Sequence, residues 1–216
     1  MMRIPIVRGT IERRILANYQ VDPGVLSKIL PPPFRPKIIH GVGMAGICLI
    51  RLRNIHPQFI PINLGVGSEN AAHRIAVEWE DQGKIREGVY IPRRDTSSRL
   101  NMFVGGKLFP GTHHLAQFTV RERGGYYRVA FESDDSKIHV VVGGHVDSQL
   151  PATSVFRSLP EASEFFQAGS LGYSVTPTPG NYDGLELCSL TWKVEPLMVD
   201  QIESSFFADE RVFPKD

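Results

Sequence analysis

The strongest constraint on this chain is a succession of strand-like segments joined by tight turns. Candidate strands run over 43–53, 71–80, 86–92, 99–104, 114–122, 126–132 and 137–145. DQGK, RGG and SDDS separate several of them, and glycine beside short polar residues at such junctions favours chain reversal. Residues 123–139 read as a hairpin region, with alternation clearest over 126–132. A further strand is expected over 11–21, and two later ones over 170–176 and 184–194.

Helical signals are few. Asp22 can cap a helix that begins at Pro23, where proline's fixed φ suits the first turn. Val25, Leu26, Ile29 and Leu30 then follow a helical stripe, and PPPFRP at 31–36 must end it, because proline lacks a donor and restricts the residue before it. A second helix is expected over 159–168, between Pro160 and Gly169. A third is expected from Pro196, with Leu197, Val199, Ile202 and Phe206 on one side and a loose tail from ADERVFPKD. Many strands and about three flanking helices give a mainly β, β-rich α+β fold: a barrel or two packed sheets.

With 216 residues the chain can bury a substantial core, and a single domain over 1–216 is expected. The formal charge of +1 supplies no bulk field for nucleic acid or an anionic membrane. No apolar run approaches a membrane span, and the first residues carry no secretory h-region, so a cytoplasmic protein is expected. Cys48 and Cys188 lie far apart in apolar runs and read as reduced thiols.

The chemistry centres on GGKLFPGTHHLAQF, residues 105–118. Adjacent residues on a strand point to opposite faces, so His113 and His114 cannot both reach one metal ion from one interior. His73 could join one of them, but no spacing demands it; neither a metal nor another cofactor is expected. Lys107 is either a solvated turn residue or a desolvated amine able to form a Schiff base. Glu69, in LGVGSENAAHR, is either a loop residue bonded to a turn or a carboxylate that orients substrate or moves a proton. YIPRRDTSSRL holds Arg93, Arg94, Asp95 and Arg99, which either present guanidinium groups to a carboxylate or satisfy one another. Arg94 and Arg74 are the candidate substrate-binding residues. GVGSEN lacks the Lys-Ser/Thr of a phosphate loop, and neither G-x-S-x-G nor H-E-x-x-H is present.

Four stretches then line up in order with a known family. YQVDPGVLSKILPPPFRP, GMAGICLIRL, GSENAAHRIAVEW and the histidine segment make the chain resemble the acetoacetate decarboxylase-like superfamily. WKVEPLMVDQIESSFF is similar to its YqjF-like branch of uncharacterised proteins. The resemblance spans roughly 11–207. It implies a mainly antiparallel β-barrel with flanking helices, an internal cavity for a small organic molecule, and possible homo-oligomers. It also implies that Glu69 matches an active-site glutamate. With HHLA set on the decarboxylases' Lys-Lys-Leu-Ala, His113 and His114 stand in the places of the Schiff-base lysine pair. Histidine cannot form the iminium that β-keto acid decarboxylation needs. The expectation is therefore a small-molecule-binding barrel without that lysine pair. One alternative is a lyase- or hydrolase-type enzyme using His113 or His114 with Glu69 as acid and base on a small oxo or carboxylate compound. A second is a Schiff-base decarboxylase using Lys107.

Overall fold

The structure, a computed structural model, describes residues 7–57, 67–99 and 111–214. Its elements are β1 (Val7–Val21), α1 (Pro23–Ile29), β2 (Arg35–Pro36), β3 (Ile38–Ile39), β4 (Val42–Pro57), β5 (Gly67–Asp81), β6 (Lys84–Thr96), β7 (His113–Arg123), β8 (Tyr126–Ser133), β9 (His139–Val146), α2 (Leu159–Ala168), β10 (Leu171–Val175), β11 (Tyr182–Glu186) and β12 (Leu197–Ser204). Nearly every expected strand has its counterpart. The 99–104 candidate lies almost wholly outside the described residues, and the later part of 184–194 is irregular.

The strands hydrogen-bond in the order β1-β4-β5-β6-β7-β8-β9-β12. Pairing is antiparallel except at β6, whose far edge is shared in parallel by β10 at Val89–Ile91 and by β7 at Arg94–Thr96. β11 extends the sheet beyond β10. Among the described residues no ladder between β1 and β12 closes the sheet, but it curls far enough for Arg13 of β1 to bond Glu122 of β7. The fold is thus barrel-like and mixed rather than a closed antiparallel barrel.

Register divides the side chains between two faces. Ile15, Leu49 and Ala71 stand in one row of β1, β4 and β5, and Ala17 pairs with Ile47 beside them. These join Ala116, Val129, Phe131, Val140 and Val142 in the main core, because paired residues share a face and alternate residues change it. On the opposite face Met44 and Ala76 pack against Phe165 of α2. Ser158 caps α2 by accepting from Glu161 N at 3.3 Å, and Pro160 occupies its first turn. α1 is built as its sequence requires: Asp22 accepts from Gly24 N and Val25 N at 2.7 and 3.1 Å, and Leu26 is fully buried.

The third expected helix is a strand. Residues 197–204 pair antiparallel with β9, with a bulge between Val199 and Gln201. The open edge of β9 offers a row of backbone donors and acceptors, and pairing with it outweighs a weak helical stripe. The tail is also more ordered than expected, since Phe213 is buried against Phe206 and Phe207. Two helices therefore flank the sheet among the described residues.

Gly144 makes the β9–β12 pairing testable, since a Cβ there would lie 2.2 Å from Met198 O. Gly144→Ala is expected to destabilise the protein by about 1–3 kcal/mol through overpacking. Hydrogen exchange should speed at 197–204 before it speeds in β8. Unchanged exchange at 197–204 would contradict the pairing.

Candidate functional site

The outer face of β4, β5 and β6 carries a cluster of cations. One row runs Leu16, Cys48, Ala72, Arg94 and His113 across β1, β4, β5, β6 and β7. The rows on either side contribute Arg14 and Arg74 to the same face. Between the long side chains the floor is small: Gly46, Cys48 and Ala72. Gly46 is required by close approach, because a Cβ there would meet Ala17 O at 2.3 Å.

These arginines are held by neutral partners. Arg74 Nη2 donates to Asn18 Oδ1 at 2.7 Å, and its guanidinium lies 5.2 Å from the Phe166 ring centre. Arg94 Nε donates to Ser174 Oγ at 2.8 Å. Arg14 lies over Trp192 at 5.3 Å, and Trp192 Nε1 donates to Ser163 Oγ of α2 at 2.8 Å. Among the described residues no carboxylate pairs with any of the three. Nε of Arg14 and Nε of Arg74 are buried without a hydrogen-bond partner, and Arg74 as a whole is only 6% exposed. A void of about 10 Å³, room for about one water, lies against Arg74, Gly46 and Phe166.

Burial weakens these charges. It brings Arg74 down to about 10, with repulsion from Arg14 adding to the effect, and brings Arg94 down to about 10. His113 falls to about 4, first through burial and then through Arg94, so its ring is neutral near pH 7. His113 Nδ1 lies 3.3 Å from Gly111 O. The face carries desolvated guanidinium groups with a neutral imidazole at its edge.

The core face treats its charges differently. Glu69 is bonded by Arg13 and by Arg51, and both arginines also bond Glu122. Two cations and two anions close on each other. Further along, Arg93 bridges Asp95 and Asp135 at 2.8 and 3.0 Å, and His114 Nδ1 stands 3.5 Å from Asp135. Arg93 holds the Asp135 carboxyl well below the usual carboxylate range, whereas burial raises Asp95. His114 is lowered by burial first and Arg93 second. His73 is fully buried, 3.9 Å from Asp95 and 4.5 Å from the ring of Phe206. Neither ring nitrogen of His73 has a hydrogen-bond partner, and burial, helped by Arg93, lowers it to about 3.

The structure thus brings Arg74, Arg94 and His113 to one face and puts Glu69 and His114 on the other. Lys107 lies outside the described residues. Adjacent histidines split across the sheet as strand alternation requires. Arg14, Asn18 and Ser174 were not singled out in the sequence. Parity along 11–21 would have found the first two, since Ile15, Ala17 and Tyr19 alternate with Arg14, Leu16 and Asn18. Among the described residues no three His, Cys, Asp or Glu side chains gather as a metal site. No helix there is long and apolar enough to cross a membrane.

Residues 8–181 match the DUF2071 family model, described as an uncharacterized conserved protein (COG2071). The chain belongs to the DUF2071 family. No curated protein matches this DUF2071 chain. Among solved structures it is similar to an acetoacetate decarboxylase-like enzyme from Sphingomonas wittichii RW1, with 14% identity, 91% of this chain and 82% of that chain covered, and a TM-score of 0.53. It is also similar to the enduracididine biosynthesis enzyme MppR complexed with pyruvate, with 13% identity, 88% and 81% covered, and a TM-score of 0.51. An acetoacetate decarboxylase from Legionella pneumophila subsp. pneumophila str. Philadelphia 1 matches at 16% identity over 90% of this chain, with a TM-score of 0.49. The DUF2071 chain spans 65% of that enzyme's length, under two thirds. The expected likeness holds in fold, which is similar to that of the acetoacetate decarboxylase-like enzyme, and the family is DUF2071.

His113 and His73 contribute to the acid limb of stability. An imidazole in the unfolded chain titrates near about 6.5, and the folded values are about 4 for His113 and about 3 for His73. Between these values the unfolded chain binds protons that the folded chain refuses. Stability is therefore full above about pH 6.5 and falls as the pH drops toward each folded value. His73→Leu should remove about one proton from the uptake on unfolding at pH 5. Its melting temperature should then depend less steeply on pH than that of the wild type; parallel slopes would show that His73 is not held neutral.

Proposed function

We propose that this protein binds a small organic carboxylate on the outer face of β4, β5 and β6, with Arg74 and Arg94 as the anion contacts and His113 at the edge. The reading rests on one observation: buried guanidinium groups there lack an acidic partner among the described residues, while Glu69 on the other face has two cations of its own. A buried charge costs several kcal/mol, of the order of about 3–5, when its counter-charge is missing. An anionic ligand supplies that counter-charge. A carboxylate matches the planar guanidinium fork, and pyruvate, bound to the similarly folded MppR, carries one. Phe166 of α2 lies against Arg74 and Trp192 against Arg14, so a ligand larger than one water needs the cover over Arg74 to move.

His113 gives this binding reading an enzymatic variant. Its neutral ring is on the same face as Arg94, and a bound anion that offsets Arg94 would raise its basicity. Proton transfer at a carbon next to the carboxylate is the chemistry such a base can support.

Calorimetric titration with pyruvate and with its uncharged amide tests the proposal. Pyruvate should bind and the amide should not. Arg94→Gln and Arg74→Gln should each weaken pyruvate by roughly tenfold or more, about 1.4 kcal/mol, while Glu69→Gln leaves affinity within about threefold. Equal binding of acid and amide would defeat the reading. Borohydride reduction with pyruvate, followed by intact mass, tests Lys107: an adduct on that residue would replace this proposal with Schiff-base chemistry.

A further inference from the structure

β12 ends the sheet, and its outer edge is bare. Among the described residues its backbone pairs with β9 alone, and no backbone bond reaches the other side of residues 197–203. Residues 198–203 are all exposed. A free row of donors and acceptors templates another strand, and proteins guard such edges with lysine, proline or a charge standing over the strand. The strand LMVDQIES contains neither lysine nor proline. Its two carboxylates are drawn back over β9: Asp200 lies 3.5 Å from His145 Nδ1, and Glu203 lies 3.7 Å from His139 Nε2. Val199 and Ile202 remain 41% and 39% exposed.

The bulge between Val199 and Gln201 decides which side chains share a face. Leu197 packs against the main core, and Val199 alternates with it onto that face. Ile202 pairs with Val142 of the same core, so it stands on the core face too. Without the bulge, residues three apart would point to opposite faces. With it, β12 complements an antiparallel copy of itself. A two-fold axis between Asp200 and Gln201 sets Val199 opposite Ile202 of the partner subunit, and Leu197 opposite Ser204 of the partner subunit, all on the core face. Met198 meets Glu203 of the partner subunit on the other face, and Asp200 meets the amide of Gln201 of the partner subunit. No like charges are directly opposed. An axis through Asp200 would set the two Asp200 carboxylates against each other. An axis through Gln201 would pair Val199 with Glu203 of the partner subunit, although the two stand on opposite faces and paired residues must share one.

We propose that the binding partner of this edge is a second copy of the chain: a two-fold dimer in which β12 pairs with β12 and the two sheets join into one, with Val199 and Ile202 as the apolar cross-strand pairs. Backbone hydrogen bonds supply the attachment, and the apolar pairs fix the register. The contact is isologous, so it closes at two subunits instead of growing into a fibre. A ladder of eight residues is small beside the roughly 800 Å² per partner of a standard interface. The dimer is therefore reversible and its population depends on concentration.

Sedimentation velocity on the full chain, over about 1 to 200 µM, should show monomer giving way to dimer. Hydrogen exchange of the wild type at 198–203 should slow over the same range while β8 is unaffected. Val199→Lys and Ile202→Lys each put a charge into the apolar pairs and should each weaken the dimer roughly tenfold or more. Both side chains are partly exposed, so the melting temperature of the dilute variants should stay close to that of the wild type. In a Cys188→Ser background, the double variant Val199→Cys/Ile202→Cys should form, on mild oxidation, a disulfide between chains that joins position 199 to position 202. A monomer throughout the range, a dimer that both lysine variants leave intact, or exchange at 198–203 that ignores concentration would overturn the proposal. A disulfide joining 199 to 199 would overturn the register. The exchange measurement uses the wild type alone and decides the matter even if a variant does not fold.

Discussion

The backbone register between β4 and β5 governs everything chemical in this molecule. It pairs Arg51 with Glu69, Cys48 with Ala72 and Gly46 with Arg74. Because side chains alternate, a slip of one residue would turn Glu69 outward and bring Arg74 into the apolar core. The register is held by the core residues themselves, with Ile47 and Leu49 fully buried on β4 and Ala71 on β5. Hydrophobic burial thus decides, indirectly, which charges meet. Neither polar cluster could be assembled without it.

The two faces show opposite solutions to buried charge. On the core face, Arg13 and Arg51 close with Glu69 and Glu122, and the group is electrically complete within the chain. Such a set is expensive to break, because removing one member strands the others. On the outer face, amide, hydroxyl and aromatic partners orient Arg74, Arg94 and Arg14 but neutralise none of them. A stability-driven face would gain by acquiring an acidic residue there.

Much of the fold was legible because antiparallel strands announce themselves locally, through alternation and through the turns between them. Asp22, Pro23 and PPPFRP marked α1 by capping and by chain chemistry. β12 was not legible in that way: its helical stripe is a local pattern, whereas its pairing depends on the open edge of β9, some fifty residues earlier in the chain. The site was legible in residue type more than in arrangement. Arg74, Arg94 and the histidine pair stood out as chemistry, but which face each occupies follows from register and from the bulge between His73 and Ile75. A sequence read one segment at a time contains no such information. Cys48 read as a buried thiol in an apolar run, and it packs with Ala72, Val89 and Ile91.

Phe206 and Phe207 touch both of the main apolar clusters, and the Phe207 ring lies tilted against Tyr19 of the first strand, 4.7 Å between centres. They follow every strand they seal. While the chain is being made, β1 through β9 can pair, but His73 and the inner ends of β1 and β4 stay open to water until residues 206–213 emerge and fold back. Completion of the core therefore waits on residues 206–213, and until they are made the barrel-like sheet stands without its aromatic seal.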